Sequence, residues 1–482
     1  MRSTFFGLEI GRSGLLTHQK AIDVTSNNMA NASTPGYSRQ RAEIVTMEPF
    51  SYPGFSKVKS ALQLGTGVDV DAVVRLRDEL IDKQIQSETT TLGYWESRQQ
   101  MLDKLELIIN EPSDANIRTS IDDFWAAINE VIKDPALPEA RSALRQKTLT
   151  MTTTIRSDYE NIKQLRWDAN DRIIQGVSQI NDLATKIAGL NDRIGKITAL
   201  GDNPNDLLDK RDAYVEELSK IVNIQYSTDK FNYMTISITG IPIVNGITAN
   251  KILTVNDTEN EGLVKLKWEA PTDEPVRILS GSLHGLFQVR DEDLPTVLRQ
   301  LNDFASTIIT NVNQLHRQGY GLDEKTGFDF FTGTDASNID LAEAIMDDNI
   351  VEIDGKKWEV GLLRIAAADS VLDLSGDGNT LMKMIFEIKD KKILNNSTAT
   401  LGEFLGSMVA DIGERSSAAQ TNADHQNFLI GNLDQRRQEV CGVSLDEEMT
   451  NLVKFQHGYN AAAKIITTVD EMLDVIVNRL KV

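Results

Sequence analysis

Apolar side chains recur at intervals of seven near the start of the chain, at Leu8, Leu15, Ile22 and Met29, with Phe5, Leu16 and Val24 beside them and no proline between residues 5 and 31. This period predicts a helix with one adhesive face. It is expected to end at Thr34-Pro35-Gly36, where the proline biases Thr34 away from helical geometry and the glycine permits a positive-φ turn. From Tyr37 to about Val74, proline, glycine and alternating apolar residues predict extended chain. Helices follow from about Asp78 to Ile109 and through Ile121, Phe124, Trp125, Ile128 and Ile132, closed by Asp134-Pro135. No proline lies between Pro138 and Pro204, and a helix from Glu139 to Leu200 would span on the order of 90 Å at 1.5 Å per residue. Its second half places Ile173, Ile180, Ile187 and Ile194 at one heptad position and Leu183, Leu190 and Ile197 three residues on. A long paired rod, packed on the rest of a bundle, is expected.

After a helical stretch through Leu207 and Val215 the period drops to two, with Met234, Ile236 and Ile238 alternating with Tyr233, Thr235, Ser237 and Thr239. With the Asn245-Gly246 turn signal and the alternation of Val264, Leu266 and Trp268, residues 223–280 are predicted to be mostly strands. Helix returns from about Leu294 to Gln318, and residues 321–400 mix short apolar runs with Gly, Asp and Asn that predict no firm element. The last segment repeats Leu445, Leu452, Tyr459, Ile466, Leu473 and Leu480 every seven residues, with Phe455, Ala462, Val469 and Ile476 three residues after four of them. Ser444 with Glu447 three residues on marks the start of that helix. Both ends are therefore heptad helices expected to lie against each other. The fold class is mainly α: a long helical bundle, a terminal coiled-coil hairpin formed by both chain ends, and a small β-rich element. The expected units are 1–45 with 440–482, then 46–222 with 281–320 and 401–439, then 223–280, with 321–400 as a reduced or absent outer domain.

At 482 residues the chain exceeds what one core holds, so several units are required. A formal net charge of −21 repels phosphate backbones and anionic lipid, which makes nucleic acid and membrane surfaces poor partners. No apolar h-region follows Met1 and no long uncharged apolar stretch occurs, so a soluble chain without a cleaved signal peptide is expected. The single cysteine, Cys441, forms no internal disulfide and reads as a passive thiol. Five histidines, at 18, 284, 316, 425 and 457, make no metal spacing. Asp373, Ser375, Asp377 and Gly378 start like a calcium loop, but Met384 stands where a bidentate Glu is required, so a turn is the better reading. No catalytic residue, cofactor or metal is assigned.

The stretch Ala21-Ile22-Asp23-Val24-Thr25-Ser26-Asn27-Asn28-Met29-Ala30-Asn31, with Thr34-Pro35-Gly36-Tyr37-Ser38-Arg39-Gln40, resembles the shared N-terminal motif of bacterial flagellar rod, hook and hook-associated proteins. The run Ser444 to Met449, then Phe455-Gln456, Tyr459, Ala461-Ala462-Ala463-Lys464 and Thr467, is similar to their C-terminal helix. Within that group the chain most resembles the hook-associated protein 1 family, through Gly36-Tyr37-Ser38-Arg39-Gln40, through Asn205 to Asp212, and through Gly281-Ser282-Leu283, Gly285-Leu286 and Arg290-Asp291. The resemblance implies a structural, non-enzymatic subunit exported through the flagellar type III pathway. It also implies a homo-oligomeric ring between hook and filament, with the hook protein, a second junction protein and an export chaperone as partners. Longer relatives insert a β-rich outer domain where this chain has only residues 321–400.

The terminal stripes are the expected assembly seam, part of each packing within the hairpin and part between subunits. The motif residues Tyr37, Arg39 and Gln40 are expected to set the angle between the first helix and the extended segment. Three rivals stand beside this reading. One is a hook or distal rod subunit, which the long helix disfavours. Another is an enzyme housed in residues 223–400, for which no catalytic constellation speaks. The third is a coiled-coil adaptor unrelated to flagella.

Overall fold

The structure, a computed structural model, describes residues 6–48, 65–109, 116–270, 274–353, 356–394 and 397–475. Phe5, Ile476 and Leu480, expected on the terminal stripes, lie outside them. The first stripe folds as α1 (Phe6–Ala30), followed by the antiparallel pair β1 (Gln40–Thr46) and β2 (Val68–Arg75), with a bulge between Glu43 and Ile44. Next come α2 (Glu79–Ile109) and α3 (Ile117–Lys133), the latter capped by Asn116, whose side chain accepts the Thr119 N–H at 2.8 Å. The long helix is unbroken as α4 (Pro138–Ala199), with proline in the first turn, where a missing N–H costs nothing. Helix α5 (Asn205–Ile221) folds back beside its end.

Ile173, Ile180, Ile187 and Ile194 are completely buried, yet their partner is not a second rod. Helix α4 packs on α3 near its start and on α5 and β strands toward its end. Those strands are the meander β3 (Gln225–Thr228), β4 (Met234–Ile238), β5 (Ile241–Asn245) and β6 (Thr248–Ala249), and the hairpin β7 (Ile252–Asn256) and β8 (Val264–Trp268). Three asparagines of α4, about three helical turns apart, hold them. The Asn170 Oδ1 accepts the Val264 N–H (2.8 Å), Asn181 exchanges two hydrogen bonds with Ile252 (2.9 Å each), and Asn191 Nδ2 donates to the Met234 (2.8 Å) and Gly246 (2.7 Å) carbonyls. Each amide satisfies buried backbone groups that a leucine at the same place would orphan.

Helix resumes at α6 (Ser282–Gln288), passes through a π-helical turn at Val289–Asp293 and continues as α7 (Leu294–His316). Gly281 enters α6 at φ 92°, and a Cβ there would meet the Ile221 carbonyl at 2.5 Å, so only glycine fits. Residues 321–400 form short pieces: β9 (Phe331–Thr332) with β10 (Asp340–Leu341), α8 (Glu343–Met346), the hairpin β11 (Ile350–Ile353) and β12 (Lys356–Glu359), α9 (Val360–Leu363), and α10 (Asn379–Met384) with a π-helical turn at Ile385–Lys389. The suspected calcium loop is a turn in which Asp373 Oδ1 accepts the Gly376 N–H at 3.0 Å. Finally α11 (Leu401–Cys441), opened by a Thr400/Glu403 capping box, runs antiparallel to α2, and α12 (Leu445–Asp474) lies along α1. The π turn before α7 aims Asp293 between α2 and α11, where it accepts from Arg98 (3.0 Å) and Arg415 (2.9 Å). No described helix is long and apolar enough to cross a membrane.

Two buried side chains tie the 321–400 pieces to the bundle. Arg141 donates to the Pro135 (2.6 Å), Leu362 (2.9 Å) and Ile365 (2.8 Å) carbonyls. His316 has Nδ1 at 2.7 Å from the Phe328 carbonyl while Nε2 accepts the Ala366 N–H at 3.0 Å, which places the proton on Nδ1. Burial lowers its pKa to about 4. The unfolded chain takes up this proton near the ordinary histidine value and the folded chain near 4, so stability is full above about 6.5 and declines as pH falls toward 4, by on the order of 3 kcal/mol. Denaturation midpoints measured across that window should fall less steeply for His316→Gln than for the parent chain. Equal slopes would mean that His316 does not stay neutral in the fold.

Candidate assembly site

Helices α1 and α12 approach closely where glycines of α1, Gly7, Gly11 and Gly14, face Val469, Ile466 and Ala462. Gly11, Thr17, Ala21, Thr25 and Asn28 are its buried residues, and a Cβ at Gly11 would lie 2.9 Å from Ile466 Cγ1. The stripe to which the sequence pattern pointed, Leu8, Leu15, Ile22 and Met29, is half-buried. On α12 the inward row is Leu452, Phe455, Tyr459, Ile466, Val469 and Leu473, all half-buried, whereas Leu445 is exposed. Glu448 and Ala462 are the buried residues of α12. Leu16, Met449, Val453, Ile465 and Met472 are also exposed. The hairpin thus leaves apolar surface on both sides of its own contact.

At the end of α1, three segments far apart in sequence meet. Asn28 is buried with its amide fully used: Nδ2 donates to the Gln40 carbonyl (2.8 Å) and Glu448 Oε2 (3.1 Å), and Oδ1 accepts from Gln40 N–H (2.9 Å) and the Tyr37 hydroxyl (2.8 Å). Burial, helped by the carboxylates of Asp206, Asp209 and Glu448, pushes the Tyr37 hydroxyl up to about 12, so it keeps the proton it donates. Asn27 donates to that hydroxyl (3.3 Å), and Asn31 Nδ2 closes the helix end on the Asn27 carbonyl (3.0 Å). Ser26 and Pro35 stay exposed, and Gly36 turns the chain at φ 77°.

From that turn the side chains diverge. Arg39 reaches the start of α12, at 2.7 Å from both Glu447 and Glu448, and its N–H donates to the Cys441 carbonyl at 2.9 Å. Gln40 reaches α5, donating to Asp206 (3.0 Å) and accepting from Asn205 (3.2 Å). Ser38 donates its N–H (3.0 Å) and hydroxyl (2.7 Å) to Asp209, which also takes Arg75 at 2.7 Å. Arg75 and Arg77 both bind Asp212, at 2.8 and 2.5 Å. A cleft of about 650 Å³ opens beside this joint, lined among others by Tyr37, Arg77, Glu216, Arg437 and Cys441. Arg437 pairs with Glu216 (3.0 Å) and Asp434 (2.6 Å), and burial raises the Cys441 thiol pKa. Charges engaged with one another hold segments together and are poorly placed to attack a substrate. Among the described residues no group of His, Cys, Asp and Glu could hold a metal ion. Sequence reasoning singled out Tyr37, Arg39, Gln40 and the 205–212 stretch separately but missed that they bond each other, and it missed Arg75, Arg77 and Glu448 as partners.

Residues 102–331 match the family model of the flagellar hook-associated protein FlgK helical domain. Residues 8–37 match that of the flagella basal body rod protein and residues 434–480 that of the flagellar basal body rod FlgEFG protein C-terminal. The chain is 28% identical to flagellar hook-associated protein 1 of Bacillus subtilis (strain 168), over 100% of this chain and 99% of that one. It is 26% identical to flagellar hook-associated protein 1 of Salmonella typhimurium, over 97% and 98%. Among solved structures, the flagellar hook junction protein FlgK from Burkholderia pseudomallei shares the fold at a TM-score of 0.61 and 16% identity, over 75% of this chain and 100% of that one. Two of the three family matches fall on the helices that pair as the terminal hairpin and the third on the body that the joint clamps to it, and the relatives align from end to end: over its whole length the chain is similar to flagellar hook-associated protein 1.

Proposed function

We propose that the chain is a structural subunit of the bacterial flagellum that forms the junction ring between hook and filament and assembles through its terminal helices. The observation that carries this is the hairpin of α1 and α12, whose apolar rows cover each other only by half while Leu445, Met449, Val453, Ile465 and Met472 remain exposed. A two-helix hairpin alone buries too little surface to offset its ordering entropy, so a neighbouring copy completes it. Leu8, Leu15, Ile22, Met29 and the inward row of α12 are the seam, shared between the hairpin and its neighbours. The joint at Asn28, Tyr37, Arg39 and Gln40 transmits the direction of the hairpin to the body, so that copies repeat at one angle. The four expected units serve this: the terminal unit 1–45 with 440–482, the body, the β element 223–280 laid on α4, and the outer segment 321–400.

The hook protein lies on one side of the ring and the second junction protein on the other. An export chaperone accompanies the chain, which leaves the cell through the flagellar export apparatus. Catalysis has no part in this reading. Electron microscopy of cells lacking the gene is the test. Hooks without filaments, with flagellin shed into the medium, are expected; missing hooks would favour a rod or hook subunit, and normal flagella would overturn the reading.

A further inference from the structure

The terminal joint lies at one end of α4. At the other, on the order of 90 Å away by the rise of the helix, the 321–400 segment exposes two patches of opposite character. On α8 and β11, Met346, Ile350 and Val351 are exposed, Ile350 to 67%. Residues 343–352, which include them, carry four carboxylates, at Glu343, Asp347, Asp348 and Glu352, and no basic side chain. Asp347 is paired with Arg364 and Glu352 stands opposite Lys357, while Glu343 and Asp348 are exposed. On α10 and its π turn, Met382 and Phe386 are exposed, Phe386 to 64%. Residues 382–392 carry four lysines against Glu387 and Asp390, a local positive excess in a chain of net charge −21. Lys391 and Lys392 are exposed, and Lys383 pairs with Asp369.

The patches stand on different supports. The acidic one belongs to the pieces anchored on α4, where Glu359 of β12 pairs with Arg145 and where α9 and β10 pack. The basic one rides on α3, α7 and α11. Among the described residues strand β11 pairs with β12 alone, which leaves its other edge open there as well. An apolar centre rimmed by charge is the composition of a protein interface. A ring of identical copies built head to tail needs two different surfaces per subunit that complement each other.

We infer that the outer end carries a second contact between copies of this chain, remote from the terminal helices: the Met382/Phe386 patch with its lysines on one subunit seats against the Met346/Ile350 patch with its carboxylates on the next. This rests on the ring reading above. Both halves of the contact stand on the same chain with opposite sign and on different elements, which fits a second copy better than any unrelated protein. It adds leverage at the periphery, where a small tilt between subunits produces the largest displacement.

The test uses the full chain in flagellated cells, with Cys441→Ala as background and Ile350→Cys plus Phe386→Cys. Flagella isolated from these cells and treated with a bismaleimide should give a ladder of linked copies, and each single cysteine should give none. Cells with attached filaments but no ladder would overturn the inference and leave the ring reading standing. A linked product containing a different flagellar protein would also overturn it. Independently of the cysteines, Lys391→Glu with Lys392→Glu should cause a loss of attached filaments that Asp348→Lys with Glu352→Lys restores. Full attachment in the first variant, or failure of the second pair to restore it, counts against the contact.

Discussion

Ile466→Asp is expected to abolish assembly while the body of the chain still unfolds as a cooperative unit. Ile466 packs on the glycine face of α1, its Cγ1 2.9 Å from where a Gly11 Cβ would stand. The substitution puts a carboxylate at that contact. Burying it unpaired costs several kcal/mol, more than a solitary hairpin can supply. The body is insulated from this loss because its core, from Leu102 and Phe124 to Ile187 and Phe304, is closed without the hairpin. Leu452→Asp, on the same row, should behave alike. Sedimentation should show monomers under conditions in which the parent chain associates, and circular dichroism should retain most of the helical signal with one remaining transition. Collapse of the whole helical signal would mean that hairpin and body form a single cooperative fold. Limited proteolysis gives a companion readout, with the ends trimmed before α4 in the variant.

The second large effect is expected at the joint. Asp209→Ala removes the acceptor of two Ser38 bonds and of Arg75, in a setting where the carboxylate is 8% exposed and Arg75 is 15% exposed. Taking Asp209 from this cluster leaves the two Ser38 donors unmatched and Arg75 with Asp212 alone, and a cost of about 3 kcal/mol follows. Ser38→Ala deletes only the hydroxyl donor and should cost about 1 kcal/mol. Chemical denaturation of the two variants separates these cases. A near-neutral Asp209→Ala would mean that Asp212, which also binds Arg75 and Arg77, takes over the cluster. If the joint sets the angle of the hairpin, Asp209→Ala chains that remain folded should still fail to support attached filaments.

Much of the architecture was legible from periodicity because the cause of periodicity is local. A seven-residue apolar repeat at Leu445 to Leu473, or the alternation Met234/Ile236/Ile238, reports the geometry of the chain segment that carries it, and both elements formed as expected. The same holds for α4, whose proline-free stretch and isoleucine row predicted its length and buried face. Pairing of the two ends followed from there being two adhesive helices and one obvious way to cover them.

Residues 321–400 lay beyond this reasoning. Their helices and strands are too short to show a period, and they persist because Arg141 and His316 satisfy their carbonyls and amides from the bundle. The glycines of α1 also escaped, since hydrophobicity points to Leu8, Leu15, Ile22 and Met29 while Gly7, Gly11 and Gly14 stand against Val469, Ile466 and Ala462 of α12.

Helical periods, strand alternation, the family motifs and the net charge of −21 can all be read along the chain. Which polar groups meet is set by the tertiary path alone. Asn28, Asp209 and Glu448 become neighbours through the path of the whole chain. A hydrogen bond depends on where its partner arrives, and nothing within a few residues of any of the three specifies that.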